Sequence, residues 1–425
     1  MISTSTNTSE KRLSVSYYLF YLAIIFTYLD FLRLGYDPNG SFISPPLRML
    51  SYMMAPVLLV FTVIAALIEG QYRRLKRHYW MWILAIHFII FVLFINGLAI
   101  HFNDYRPIVF DLIYFVYFIP GILIGCKEKN WKSLDQLFLY IFIFNTFLLI
   151  PYLTSFQGIV ELSRNSIILM EGQTPYFIWG GLASWIYFIL TLDSRTTVQR
   201  TLIYISSILY FVFALIFLKR APFLELILLF ALLVFANRLR IKFNLDFKTI
   251  FFLGIIIGST YPLYKFLEFS TFAERLNDRV YEERSLVSSV LQNSRIAYDL
   301  NLVTSQISSQ EWIIGRGIGG TVQDIGYNYP DFNTHTLHNF FALVLLKGGF
   351  IFFIVWYFGW VIFFKDFLQN KRESINKFFI PVLIPLLCSW LFGFVQVSIH
   401  FLLLMMCAGR IMAKESSIFD RKFND

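Results

Sequence analysis

The chain of 425 residues is poor in charge. Asp, Glu, Lys and Arg make up 15% of it, where a soluble domain carries about 25%. It is also poor in cysteine. The three present, Cys126, Cys388 and Cys407, each lie in or beside an apolar run. An odd count without paired spacing excludes a disulfide framework and a cysteine-based metal site. No phosphate-binding P-loop and no H-E-x-x-H zinc motif occur. No G-x-S-x-G nucleophile elbow is present either. "GRGIGG" at 315–320 resembles a fragment of a dinucleotide fingerprint. It follows no predicted strand and opens no predicted helix, so that reading is rejected.

What fills the chain instead is apolar. Hydrophobic residues make up 57%, with 49 Phe, 24 Tyr and 9 Trp. They are spread along the whole length, which predicts an all-α polytopic membrane protein rather than a globular domain with one anchor. The formal charge of +9 reads in that setting as a topological signal and not as a nucleic-acid surface. The polar start "MISTSTNTSEKRL" leads into a run already long enough to span, which reads as no cleavable signal peptide.

Runs of roughly 17–25 residues span a bilayer about 30 Å thick. They fall at 15–36, 49–68, 80–102, 107–126, 134–153, 175–192, 201–218, 221–237, 250–267, 338–364, 378–395 and 397–413, which predicts about twelve transmembrane helices. The basic residues test this count. With the N-terminus in the cytoplasm, the inside segments are "KR", "RRLKR", "KEKNWK", "SRTTVQR", "RLRIKFNLDFK", "KDFLQNKRESINK" and the tail from Arg410. They hold nearly two thirds of the 36 lysines and arginines. Every inside segment is basic, as the positive-inside rule requires, so both termini are expected inside.

Three regions follow: transmembrane helices 1–9 over 1–267, an extracytoplasmic loop over 268–337, and helices 10–12 with a cytoplasmic tail over 338–425. The loop is rich in Glu, Arg, Ser, Asn and Gln. Apolar residues at helical spacing, such as Leu276, Val280, Leu286 and Val290, predict two amphipathic helices on the membrane surface. "GRGIGG" and "NYPDFN" read as turns before the tenth span. No Asp-x-Asp pair stands in an outside loop to hold Mg²⁺. Metal-independent chemistry with no cofactor is expected.

Charges within or at the ends of spans are the informative ones, because lipid makes them costly. They are Asp30, Arg33, Arg48, Arg106, Asp111, Arg220 and Glu225, with Arg295 on the loop and His338 at the start of the tenth span. Each also has a plainer reading. Arg295 and Asp299 stand four apart and suit a surface salt bridge. Asp111 or Asp30 suits neutralisation by Arg33. Lys347 suits snorkelling or pairing inside the bundle. Gly348 and Gly349 suit close packing of a neighbouring helix. His338 suits a hydrogen bond at a helix end. The chemical reading joins several arginines on one bilayer face. They would hold phosphate oxygens bidentately, beside an imidazole able to take a proton from a hydroxyl.

"HNFFALVLLKGGF", with His338, Asn339, Leu343, Gly348 and Gly349, resembles the His-Asn…Leu…Gly signature of the bacterial O-antigen polymerase and O-antigen ligase superfamily. "FLKRAPFLELILLF" is similar to that family's short outer turn with an arginine, here Arg220. "SRIAYDLNL…WIIGRGIGG" is similar to its arginine helix and Gly-rich turn, here Arg295 with Gly315, Gly317 and Gly319. The resemblance covers about 205–365. Two departures are plain: Lys219 stands where the family has Ser or Thr, and His335 offers a second imidazole. The resemblance implies a GT-C-like bundle that transfers a glycan from undecaprenyl pyrophosphate to an acceptor glycolipid at the outer face of a bacterial inner membrane. A chain-length regulator and a flippase are among the partners it implies. His338 would be the base. Arg220, Arg295, Arg316, Asn339 and His335 would bind substrate.

Polymerase and ligase share this site logic. No further basic patch for a phosphorylated lipid A core is evident, which favours the polymerase. A twelve-helix transporter would show two related halves, and no half-repeat is visible.

Overall fold

A computed structural model describes residues 14–36, 45–100, 108, 111–112, 115–127, 131–148, 184–216, 295–323, 333–334, 337, 339–369, 378, 380, 382–383 and 399–414. Among them the protein is helical, and its helices follow the apolar runs. α1 covers Val15–Tyr36, α2 Pro45–Ile68 and α3 Arg77–Ile100. α4 covers Phe118–Gly125, α5 Trp131–Leu148 and α6 Thr197–Ile216. Residues 184–190 are helical too. α7 is Arg295–Gln306, α8 is Glu311–Ile314, α9 is Phe340–Gln369 and α10 is Ile399–Met412. The expected spans at 221–237 and 250–267 lie outside the described residues. So does nearly all of 378–395, and so does the first of the two amphipathic loop helices.

α3 and the stretch Phe340–Phe367 of α9 are long and apolar enough to cross a membrane. Both carry large apolar side chains on an exposed face: Leu84, Phe88, Phe91 and Ile95 on α3, and Ile354, Phe358 and Val361 on α9. Their other faces meet. The Trp82 indole lies where a Cβ on Gly359 would collide with it, and its N–H donates to the Val355 carbonyl at 2.8 Å. α4 and α10 come closer still. A Cβ on Gly121 would strike Met405, one on Gly125 the Met406 backbone, and one on Gly409 the Ile122 carbonyl. Small residues at four-residue spacing allow such backbone contact, the usual device between helices in lipid.

The described connections sort into two ends. At one end the chain after α2 pairs with the end of α10. The Lys76 N–H donates to the Met412 carbonyl at 3.0 Å and the Lys414 N–H to the Arg74 carbonyl at 2.6 Å. Lys76 Nζ meets Asp366 at 2.9 Å. The Ser16 hydroxyl donates to Glu69 at 2.7 Å. Asp135 takes a bidentate bond from Arg195. These residues fall in or beside segments expected on the inside. At the other end gather the parts expected outside: α7, α8, the start of α9 and the glycine turn.

Candidate functional site

The loop frame begins with local signals. Ser308 and Glu311 form a capping box: the Ser308 N–H donates to Glu311 Oε2 at 2.7 Å, and the Glu311 N–H to Ser308 Oγ at 3.3 Å. This starts α8. Gly315, with φ 72°, ends it, and its N–H donates to the Glu311 carbonyl at 2.7 Å. Burial works to raise the Glu311 pKa, but the Ser308 N–H and the Arg316 guanidinium outweigh it and hold the carboxyl below the usual range.

Residues 315–320 then enter the bundle. α9 is broken at Gly349, which has φ 59° and ψ −162°. A helix break releases carbonyls that must find donors, above all away from water. The turn supplies them. The Arg316 N–H donates to the Leu346 carbonyl at 2.7 Å and the Gly317 N–H to that of Lys347 at 2.9 Å. The Ile318 N–H donates to the Leu93 carbonyl of α3 at 3.2 Å. A Cβ on Gly315 would lie 2.4 Å from the Lys347 carbonyl, and one on Gly97 would lie 2.1 Å from that of Ile318. Leu93 and Lys347 both lie about 10 Å along their helices from Ile100 and Phe340, at ~1.5 Å rise per residue. The turn thus dips between α3 and α9. Gly348 and Gly349 do mark a close contact, but with α8 and this turn rather than with a neighbouring long helix: a Cβ on Gly349 would strike the Ile313 backbone.

Lys347 seals the insertion. It is 1% exposed, as is Asp111, and their Nζ and Oδ2 are 2.6 Å apart. Lys347 Nζ also donates to the Gly320 carbonyl at 2.6 Å, and the Gly319 N–H donates to Asp111 Oδ2 at 2.5 Å. Lys347 therefore pairs inside the bundle and does not snorkel. It partners Asp111; the Arg33 side chain lies outside the described residues.

The expected substrate residues fare differently. Arg316 lies in the turn, where its guanidinium is engaged within the loop. It donates to Glu311 at 3.1 Å, to the Thr321 carbonyl at 2.5 Å and to the Gln306 carbonyl. Arg295 opens α7, but its side chain lies outside the described residues, as do Arg220, His335 and His338 altogether. Asn339 is described and is 1% exposed. Its Oδ1 accepts the Ala342 N–H at 3.1 Å, capping α9. Its own N–H donates to Asp299 Oδ2 at 2.6 Å. Asp299 is 3% exposed, so it is not the surface residue expected but is buried and bonded to the His-Asn motif; the Arg295 side chain expected to pair with it lies outside the described residues.

Two further ties complete the frame. Gln306 Nε2 donates to the Gln323 carbonyl at 2.7 Å, and its Oε1 accepts the Gln323 N–H at 2.8 Å. Strand β1, Val322–Gln323, pairs antiparallel with β2, Asn333–Thr334. Sequence reasoning did not single out Asp299 as a motif-holding residue. Its position four residues after Arg295 was visible, but its inward direction was not. No protein-family model, curated protein or solved structure matches the chain.

Proposed function

We propose that the protein is a multi-pass bacterial inner-membrane glycosyltransferase that polymerises polysaccharide repeat units. Both donor and acceptor are carried on undecaprenyl pyrophosphate, and the reaction occurs at the outer face without a metal. The bilayer, the twelve spans and the cytoplasmic termini belong to the same proposal. The observation that carries it is the 2.6 Å bond from the Asn339 N–H to Asp299. It ties the helix that Arg295 opens to the residue beside His338. Two motifs more than thirty residues apart, which matter to the chemistry only if they act together, are thus joined through their frame.

The chemistry follows from residue types. Charge develops on the leaving pyrophosphate during glycosyl transfer. Fixed arginines at that point stabilise the transition state more than the ground state. A histidine takes the proton of the attacking hydroxyl, so an inverting displacement needs one base and no enzyme nucleophile. The sorting of basic connections to one end of the bundle, away from the glycine turn, supports an outer location for the site.

Arg220→Ala and Arg295→Ala are expected to raise the donor KM about 10–100-fold, the worth of a charge-assisted phosphate contact. Lys at either position is expected to rescue poorly, because an ammonium cannot fork. Full activity of both lysine variants would rule out bidentate holding. The phenotype of a deletion strain tests the reaction itself. Single-repeat glycan on the lipid A core indicates loss of a polymerase. Bare core beside long lipid-linked polymer indicates loss of a ligase and would overturn the polymerase reading.

A further inference from the structure

α8 changes character within one turn. Ser308, Ser309 and Gln310 lead into it and are exposed. Its far end presents Ile313 and Ile314, 55% and 52% exposed. Between them Trp312 stacks on Phe350 of α9, with ring centroids 5.3 Å apart. Phe350 and Ile351 are exposed as well, and so are Ile354, Phe358 and Val361 further along α9. The Ile313 backbone rests against Gly349, so the two isoleucines extend the apolar face of α9 across its break.

Depth and backbone pairing say what covers this face. Near the other end of α9 the Asp366 carboxylate meets Lys76, His78 and Tyr79. At ~1.5 Å rise per residue the helix climbs about 24 Å from Asp366 back to Phe350. The hydrocarbon layer of a bilayer is about 30 Å thick. With the Asp366 cluster at the inner border, α8 lies several ångströms below the outer one. Its backbone suits that depth. Every N–H from Glu311 to Gly320 donates within the protein: that of Glu311 to Ser308 Oγ, that of Gly319 to Asp111, and the rest to backbone carbonyls. A loop in water can leave such groups to solvent, whereas backbone at membrane depth has to pair internally. Arg316, the cation of this stretch, is paired with Glu311, so no bare charge enters lipid with it.

We propose that α8 is a lipid anchor: Ile313 and Ile314 insert among the acyl chains of the outer leaflet, beside Phe350 and Ile351. α8 runs straight into the glycine turn, and Arg316 donates to the Gln306 carbonyl at the end of α7. The anchor thus ties the loop frame of the candidate site to the outer leaflet. It presupposes that α9 spans the bilayer, and it is independent of the reaction catalysed.

The test places the photoreactive residue p-benzoylphenylalanine at single positions of the full-length protein, in vesicles of phosphatidylethanolamine and phosphatidylglycerol, and reads the cross-linked product by mass. At Ile314 a phospholipid adduct is expected, as at Phe358 on the apolar face of α9. At Ser309, on the polar side of α8, that adduct is expected to be lost. A cross-link from Ile314 to another segment of the chain, or to a second copy of it, shows that protein covers the face and overturns the anchor. So does a lipid adduct at Phe358 with none at Ile314, or one at Ser309 as strong as at Ile314; in these cases α9 still spans. No lipid adduct at Phe358 overturns the membrane reading and the anchor together.

Discussion

His338→Ala is expected to abolish polymer while the protein still reaches the membrane in normal amount. A positioned base contributes about 10²–10⁴-fold to a proton-transfer step, enough to erase long glycan from cells. Asn339 ends its helix with its own side-chain oxygen, so the cap does not depend on the imidazole. The variant is therefore expected to fold, and membrane abundance with detergent gel filtration checks it. His335→Ala is the companion measurement. It is expected to retain most of the activity, and the reverse pattern would move the base to His335. Near-normal turnover of His338→Ala would sink the assignment of a histidine base at that position.

The second large effect concerns Lys347. Its ammonium is buried against Asp111 and the Gly320 carbonyl. Lys347→Met matches its shape but leaves the Asp111 carboxylate without that ammonium. Removing one partner of a buried pair costs about 3–5 kcal/mol. The turn is bonded to α3 and to α9 just before its break, and α7 is tied to it through Arg316 and Gln306. The damage is thus expected to reach the site as well as the bundle. Melting in detergent and the in-vitro rate should fall together. Adding Asp111→Asn to Lys347→Met removes the carboxylate charge that Lys347 balanced and keeps an acceptor for the Gly319 N–H, so most of the melting temperature should return. If Lys347→Met melts with the wild type, the pair does not hold the turn.

Element boundaries were legible where the signal is local. α1 matches the predicted run 15–36 at both ends, and α3 and α9 begin within three residues of their predicted starts. Each begins where a polar stretch gives way to an apolar run, and the chain itself carries that information. The sequence also marked 315–320 as a turn, because glycine tolerates positive φ. It did not place the turn inside the bundle. That position depends on carbonyls of Leu93, Leu346 and Lys347, freed or exposed by the meeting of two distant helices.

The candidate site divides in the same way. Composition and spacing indicated which residue types suit a lipid-linked pyrophosphate and which histidines suit a base. The family resemblance implied Arg316 as a substrate-binding residue; its guanidinium donates to carbonyls of its own loop and to Glu311. Spacing read Asp299 as a surface partner of Arg295, yet it is buried against Asn339. The sequence alone determined the apolar runs, their order, the basic residues between them and the chemical types at the motif. Those are properties of single segments set against water or lipid. Only the tertiary structure decided which charges neutralise each other, which glycines meet backbone and where the donors of the turn are spent. Each of those depends on atoms brought within hydrogen-bond reach from far along the chain.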